Sequence, residues 1–186
     1  MLAFSDGVIA IIITIMVLEL RPPHEPTLAA LHALAPTFFS YVLSFLFIAI
    51  YWNNHHHMMA VVERVNGAVL WANMALLFFL SLVPFTTAWM GDTAGAKAPT
   101  ILYGVSLLAP AIAYTVLQNT LIAHHGEDHA LKRAVGGDWK GLTSLGIYVG
   151  GIAGSFIEPR LGWACYVTVA LIWLLPDRRI ERVIGG

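Results

Sequence analysis

Charge is what this chain has least of. Only 11% of its 186 residues are Asp, Glu, Lys or Arg, against roughly 25% in an average soluble domain. Ten basic residues nearly cancel eleven acidic ones, for a net charge of −1. Bulk charge therefore gives no reason to expect a nucleic-acid partner. Cysteine is scarcer still. Cys165 stands alone, which excludes an intrachain disulfide and leaves it best read as a small buried apolar residue. No basic segment precedes the first apolar run, so a cleavable signal peptide is not expected. The chain also lacks His-Glu-x-x-His, Gly-x-Ser-x-Gly and a phosphate-binding loop with its lysine. No catalytic arrangement stands out, no enzyme is indicated, and no cofactor is called for.

What fills the space is hydrocarbon. Hydrophobic residues make up 58% of the chain, and mean hydropathy is +0.73. Such a chain is an all-α integral membrane protein with the lipid bilayer as its partner. A spanning helix needs about 20 mostly apolar residues. Charges and Pro/Gly clusters divide residues 1–186 into six such stretches, near 2–20, 30–54, 66–90, 99–123, 140–157 and 161–176. No internal repeat is evident, so one six-helix domain is the simplest reading.

Basic residues set the orientation. Arg64, Lys132, Arg133, Lys140, Arg178, Arg179 and Arg182 fall on one side of the six spans, and Arg21, Lys97 and Arg160 on the other. The richer side is cytoplasmic by the positive-inside rule, which puts both termini inside. Trp52, Trp89, Trp139 and Trp163 lie near span ends, where an interfacial aromatic belt is expected.

The first span carries a Ser5-Asp6 pair, followed by a run of isoleucines. An aspartate in a spanning helix is costly and needs a partner or a task. With Asp6 at zero and about 100° per residue, Ile11 falls near 140°, Ile15 near 180°, Leu18 near 120° and Thr14 near 80°. Ile11, Ile15 and Leu18 thus share one narrow apolar stripe, with Thr14 beside it. Periodicity alone reads that stripe as lipid-facing or core packing. Asp6 lies roughly on the opposite side, pointing toward neighbouring helices. Ser5 is also a candidate helix N-cap.

Other features admit plainer readings. His55, His56 and His57 are consecutive, so on a helix they diverge by about 100° each and cannot all reach one ion. Interfacial hydrogen bonding is their default role. His125 and His129 have i, i+4 spacing beside Asp128, but a solvated loop is the expectation there and no metal site is assigned. Gly146, Gly150 and Gly154 repeat at the spacing that lets helix backbones approach closely, so helix packing is expected. Pro84 and Pro110 fall inside spans and should bend them.

The segment Phe4-Ser5-Asp6-Gly7-Val8-Ile9-Ala10-Ile11-Ile12-Ile13-Thr14-Ile15-Met16-Val17-Leu18-Glu19-Leu20 resembles the first helix of the transmembrane protein 175 family of potassium-permeable channels. Tyr51-Trp52-Asn53-Asn54-His55-His56 is similar to the end of that family's second helix. Leu70-Trp71-Ala72-Asn73, followed by Pro84-Phe85, is similar to its third. The family signature places an arginine four residues before Phe-Ser-Asp. That arginine would precede Met1, so a short lost N-terminal stretch is expected.

The resemblance implies a homotetramer of six-helix subunits, with the first helix lining a central pore. It also implies stacked apolar rings in place of a Thr-Val-Gly-Tyr-Gly carbonyl filter, a sequence this chain lacks. By position the rings map onto Ile11, Ile15 and Leu18. Thr14 takes the place of a threonine with a share in selectivity, and Glu19 stands at the outer mouth. Phe4, Ser5, Asp6, His55, His56, Trp71 and Asn73 would form a network that holds the pore helix, with a histidine as the expected partner of Asp6. Permeant potassium and other monovalent cations, and a prokaryotic plasma membrane, follow from the same resemblance. The rival function is a proton-coupled secondary transporter using Asp6, Glu19 and the histidines.

Overall fold

The computed structural model of the chain describes residues 1–62, 64–125 and 139–174, and among them eight helices are formed. They are α1 (Leu2–Leu18), α2 (Leu28–Ala33), α3 (Ala35–Ala60), α4 (Gly67–Ser81), α5 (Val83–Asp92), α6 (Lys97–His125), α7 (Trp139–Ser155) and α8 (Pro159–Leu174). Among the described residues three stretches are long and apolar enough to cross a membrane, namely α3, α4 continued by α5, and α6. Helices α1 and α8 are apolar but shorter. At 1.5 Å per residue α1 rises about 25 Å, a little less than the roughly 30 Å hydrocarbon layer.

Local chemistry explains the breaks. Proline has no N–H and suits the first turn of a helix. Pro36 and Pro84 sit in the opening turns of α3 and α5, and Pro159 begins α8. The second span therefore starts at Ala35 instead of near residue 30. The short α2 precedes it, capped by Thr27, whose hydroxyl accepts from Ala30 N at 3.1 Å. The same span runs on to Ala60, so the polar run from Trp52 to His57 stays helical. Asn66 caps α4 by accepting from Val69 N at 2.9 Å. Pro84 divides the third span at Leu82, whereas Pro110 is accommodated within an unbroken α6.

Two apolar clusters hold the helices. The first joins Ile9, Ile12 and Met16 of α1 to Ile48 of α3, Leu76 and Leu80 of α4, and Leu117 and Leu121 of α6. The second joins Leu43 and Phe47 of α3 to Tyr103 and Leu107 of α6, Tyr148 of α7, and Tyr166 and Val169 of α8. A buried chain of hydroxyls crosses the second cluster. Thr87 donates to Val83 O at 2.7 Å, so Ser44 Oγ donates to Thr87 at 2.6 Å and Tyr103 donates to Ser44 at 2.8 Å. Each proton has one acceptor, which is what a buried polar group in an apolar interior requires.

The Gly-x-x-x-Gly expectation needs correction. Within the subunit the close approach is made by Gly151, not by Gly146 or Gly150. A Cβ on Gly151 would lie 2.8 Å from Cys165 Cβ and 2.9 Å from the Tyr166 ring, whereas one on Gly146 or Gly150 would meet open space. Gly154 is intermediate, facing Leu161 Cβ at 3.1 Å. The stripe begun at Gly146 points outward, and Gly151 lies one residue off it. Gly151→Ala should therefore cost about 1–3 kcal/mol by overpacking. Gly150→Ala should be neutral or gain up to about 1 kcal/mol from helix propensity. Thermal unfolding of the two purified variants checks the contrast, and equal melting shifts would contradict it.

Candidate pore helix and its anchor

Helix α1 has two faces. Ser5, Ile9, Ile12 and Met16 are buried against α3 and α4. The other face is uncovered in the subunit: Ile11 is 60% exposed, Ile15 44% and Leu18 72%. The structure thus brings Ile11, Ile15 and Leu18 onto one apolar surface, as the angular reading places them. Thr14 is exposed beside them, and its hydroxyl donates to Ala10 O at 2.8 Å. That bond occupies the only hydroxyl proton and leaves oxygen lone pairs facing outward. Ile11 and Ile15 also border a groove whose far wall is Pro84 and Phe85 of α5. Glu19 lies exposed just past the end of α1. It borders a second groove with Arg21 and Asp92.

The opposite end of α1 is anchored by polar groups. His55 Nε2 lies 2.8 Å from Asn73 Oδ1, Asn73 Nδ2 donates to Ser5 Oγ at 3.0 Å, and Ser5 donates to Met1 O at 3.3 Å. The carbonyl oxygen of Asn73 can only accept, so the proton of His55 resides on Nε2. All three side chains are buried. The result is a one-way hydrogen-bond chain from α3 through α4 to α1. His55 Nδ1 is buried without a hydrogen-bond partner among the described residues.

Asp6 takes a different partner from the one expected. It is half-buried and accepts from Trp52 Nε1 at 3.0 Å. Trp52 in turn packs on His56, ring centroids 5.5 Å apart. His56 is thus placed near Asp6 through the indole. The expected network gathers Ser5, Asp6, His55, His56 and Asn73 at one end of the fold. It does not gather Trp71, which is 78% exposed, or Phe4, also exposed. On α4, Trp71 sits two positions before Asn73 and so points to another side of the helix.

Sequence reasoning missed Trp52 as the partner of Asp6 by assigning it to the aromatic belt. The available signal was the i, i+4 spacing of Trp52 and His56. It also missed the Ser44–Thr87–Tyr103 hydroxyls, although Ser40 and Ser44 repeat at one turn within an otherwise apolar span.

The indole–carboxylate bond can be checked by a double-mutant cycle. Asp6→Ala and Trp52→Phe should each lower stability by about 0.5–1.5 kcal/mol, and the double variant should lose much less than the sum. Additive losses would place Asp6 elsewhere.

Among the described residues no group of three His, Cys, Asp or Glu side chains converges to hold a metal ion. His129 and Asp128 lie outside the described residues, as do Lys132, Arg133, Arg178, Arg179 and Arg182.

Comparison with known proteins gives a consistent kinship. The family model described as Endosomal/lysosomal potassium channel TMEM175 matches residues 1–84. A potassium channel of Chryseobacterium sp. (strain P1-3) is 51% identical over 180 residues, covering 97% of this chain and 94% of that protein. A human protein named endosomal/lysosomal proton channel TMEM175 is 24% identical over 122 residues, 63% of this chain and 24% of its own length. The crystal structure of a lysosomal potassium-selective channel TMEM175 homolog from Chamaesiphon minutus matches with a TM-score of 0.78 and 29% identity, covering 94% of each chain.

Proposed function

The chain belongs to the transmembrane protein 175 family, and on that premise we propose that it is a subunit of a potassium-permeable cation channel. The observation that carries this reading is its 51% identity, over nearly its whole length, to a protein named as a potassium channel. The uncovered apolar face of α1 supports the site assignment. Four copies of a six-span subunit would bring four α1 helices around one axis, both termini on the cytoplasmic side.

In that arrangement Ile11, Ile15 and Leu18 form stacked apolar rings, with Ile11 the tightest. Such a ring gates by dewetting: when narrow, it excludes the water that a cation needs. Tilt or rotation of α1 widens the ring and admits hydrated cations. Thr14 offers hydroxyl oxygens to a cation between the rings. Four Glu19 carboxylates at the outer mouth raise the local cation concentration. The anchor built from Ser5, Asp6, Trp52, His55 and Asn73 holds the inner end of α1, so motion is confined to the part beyond it.

The test is the reversal potential of the purified protein in planar bilayers under a potassium/sodium gradient. A potassium-permeable channel gives ohmic current whose reversal shifts toward the potassium equilibrium potential. Saturable, proton-driven flux would instead establish a coupled transporter, and no flux at all a structural subunit.

A further inference from the structure

A cavity separate from α1 lies where α3, α6, α7 and α8 meet. It has about 50 Å³ of water-accessible volume and is lined by Phe47, Tyr51, Ala111, Ser144, Tyr148 and Trp173, with Asn54 at its edge. One water occupies roughly 10–15 Å³ by this measure, so the space suits about four waters or one small organic ring. Among the described residues none that lines it is charged, although Lys140 Nζ lies 5.9 Å from the centroid of the Trp173 ring. The walls are mostly aromatic and aliphatic.

The polar groups in that wall are not used up by the protein. Tyr148 is only 2% exposed. Among the described residues, neither its hydroxyl nor that of Tyr51 meets a hydrogen-bond partner. Ser144 Oγ accepts from Trp173 Nε1 at 2.8 Å, which leaves its own proton to give. Asn54 spends an N–H on Ile50 O at 3.0 Å and keeps its carbonyl oxygen. Phenol hydroxyls that border a cavity and close no bond among the described residues are left with donor and acceptor capacity to spend on an occupant. An occupant that both donates and accepts would satisfy them.

We propose that this cavity is a binding site for a small neutral molecule with one ring and one hydroxyl, the phenol class. The ring packs between Phe47, Ala111 and Trp173, and the hydroxyl exchanges hydrogen bonds with Tyr148 and Tyr51. The site is independent of the proposed conduction path, and its occupancy can be read without measuring current.

The experiment titrates phenol into the purified full chain in lipid nanodiscs and follows the thermal midpoint together with calorimetric heat. A saturable stabilisation is expected. Tyr148→Phe removes one oxygen and little volume, and it should weaken half-saturation about fivefold, the effect of one lost hydrogen bond. Ala111→Leu fills the space and should abolish saturation. A linear response, the same in all three proteins, reports partitioning into lipid and overturns the proposal. Should Ala111→Leu fail to fold, the pair Tyr51→Phe and Tyr148→Phe decides, since unchanged half-saturation in both also overturns it. Absence of phenol binding overturns this proposal and leaves the channel reading intact, because that reading rests on kinship and is tested by current.

Discussion

Replacing Ile11 by asparagine is expected to raise potassium current through bilayers about tenfold or more. A tenfold rise corresponds to about 1.4 kcal/mol removed from a barrier, modest for turning a dewetted ring into a hydrated one. The argument rests on geometry. Ile11 lies on the uncovered face of α1 and is absent from the buried set Ser5, Ile9, Ile12 and Met16. In the proposed tetramer, four asparagine amides at one level would hold water where four isoleucines would expel it. The fold should tolerate the change, since no core contact is lost. Single-channel recordings supply the check through conductance and open probability. If both match the parent protein, the constriction is not at Ile11. Ile12→Asn, one residue away, should behave differently. Ile12 is buried in the first apolar cluster, so the polar group would destabilise the subunit instead of opening it.

Replacing Asn73 by alanine should be the most damaging single change at the anchor, lowering stability by about 2–5 kcal/mol. It removes the acceptor of His55 and the donor to Ser5 together, leaves buried polar groups unmet and opens a small void. Hydrogen bonds between membrane helices average less than this, near 0.6 kcal/mol, because the unfolded chain in lipid also finds partners. Asn73 exceeds that average because it links two buried partners on two different helices. Melting of the purified assembly measures the loss. A shift no larger than that of Ser5→Ala would mean the three side chains do not act as a unit. Added conductance without loss of stability would assign Asn73 to the conduction path.

Part of this is legible in the sequence. The three long apolar helices near 30–54, 66–90 and 99–123 follow from the scarcity of charge, since their ends lie near a charge, a proline or a glycine. The division of α1 into two faces followed from helical angles alone. What was not readable depended on contacts between distant helices. Nothing in the spacing of Asp6 distinguishes a histidine partner from Trp52, because that choice is set by how α1 crosses α3. Gly146 and Gly150 have the spacing of a packing stripe, yet Gly151 makes the contact, because the rotation of α7 about its own axis is fixed by Tyr166 across the gap. The start of α3 at Ala35 was missed because Leu28–Ala33 is as apolar as the span that follows it. Only Pro36, in the first turn of α3, marks the boundary.

The pairing of α7 with α8 also bears on how the protein is made. Helix α7 is 17 residues long and α8 is 16, each about 25 Å in rise. With its lysine, its serines and its five glycines, α7 is a poor substrate for partition into lipid when released alone. Its Gly151 is shaped to receive Tyr166, and the turn joining the two helices is short. The two are therefore suited to enter the bilayer as one hairpin, docking onto an α6 already in place. A ribosome-bound chain ending between them should stay with α7 at the translocation machinery, and one extended through α8 should release both.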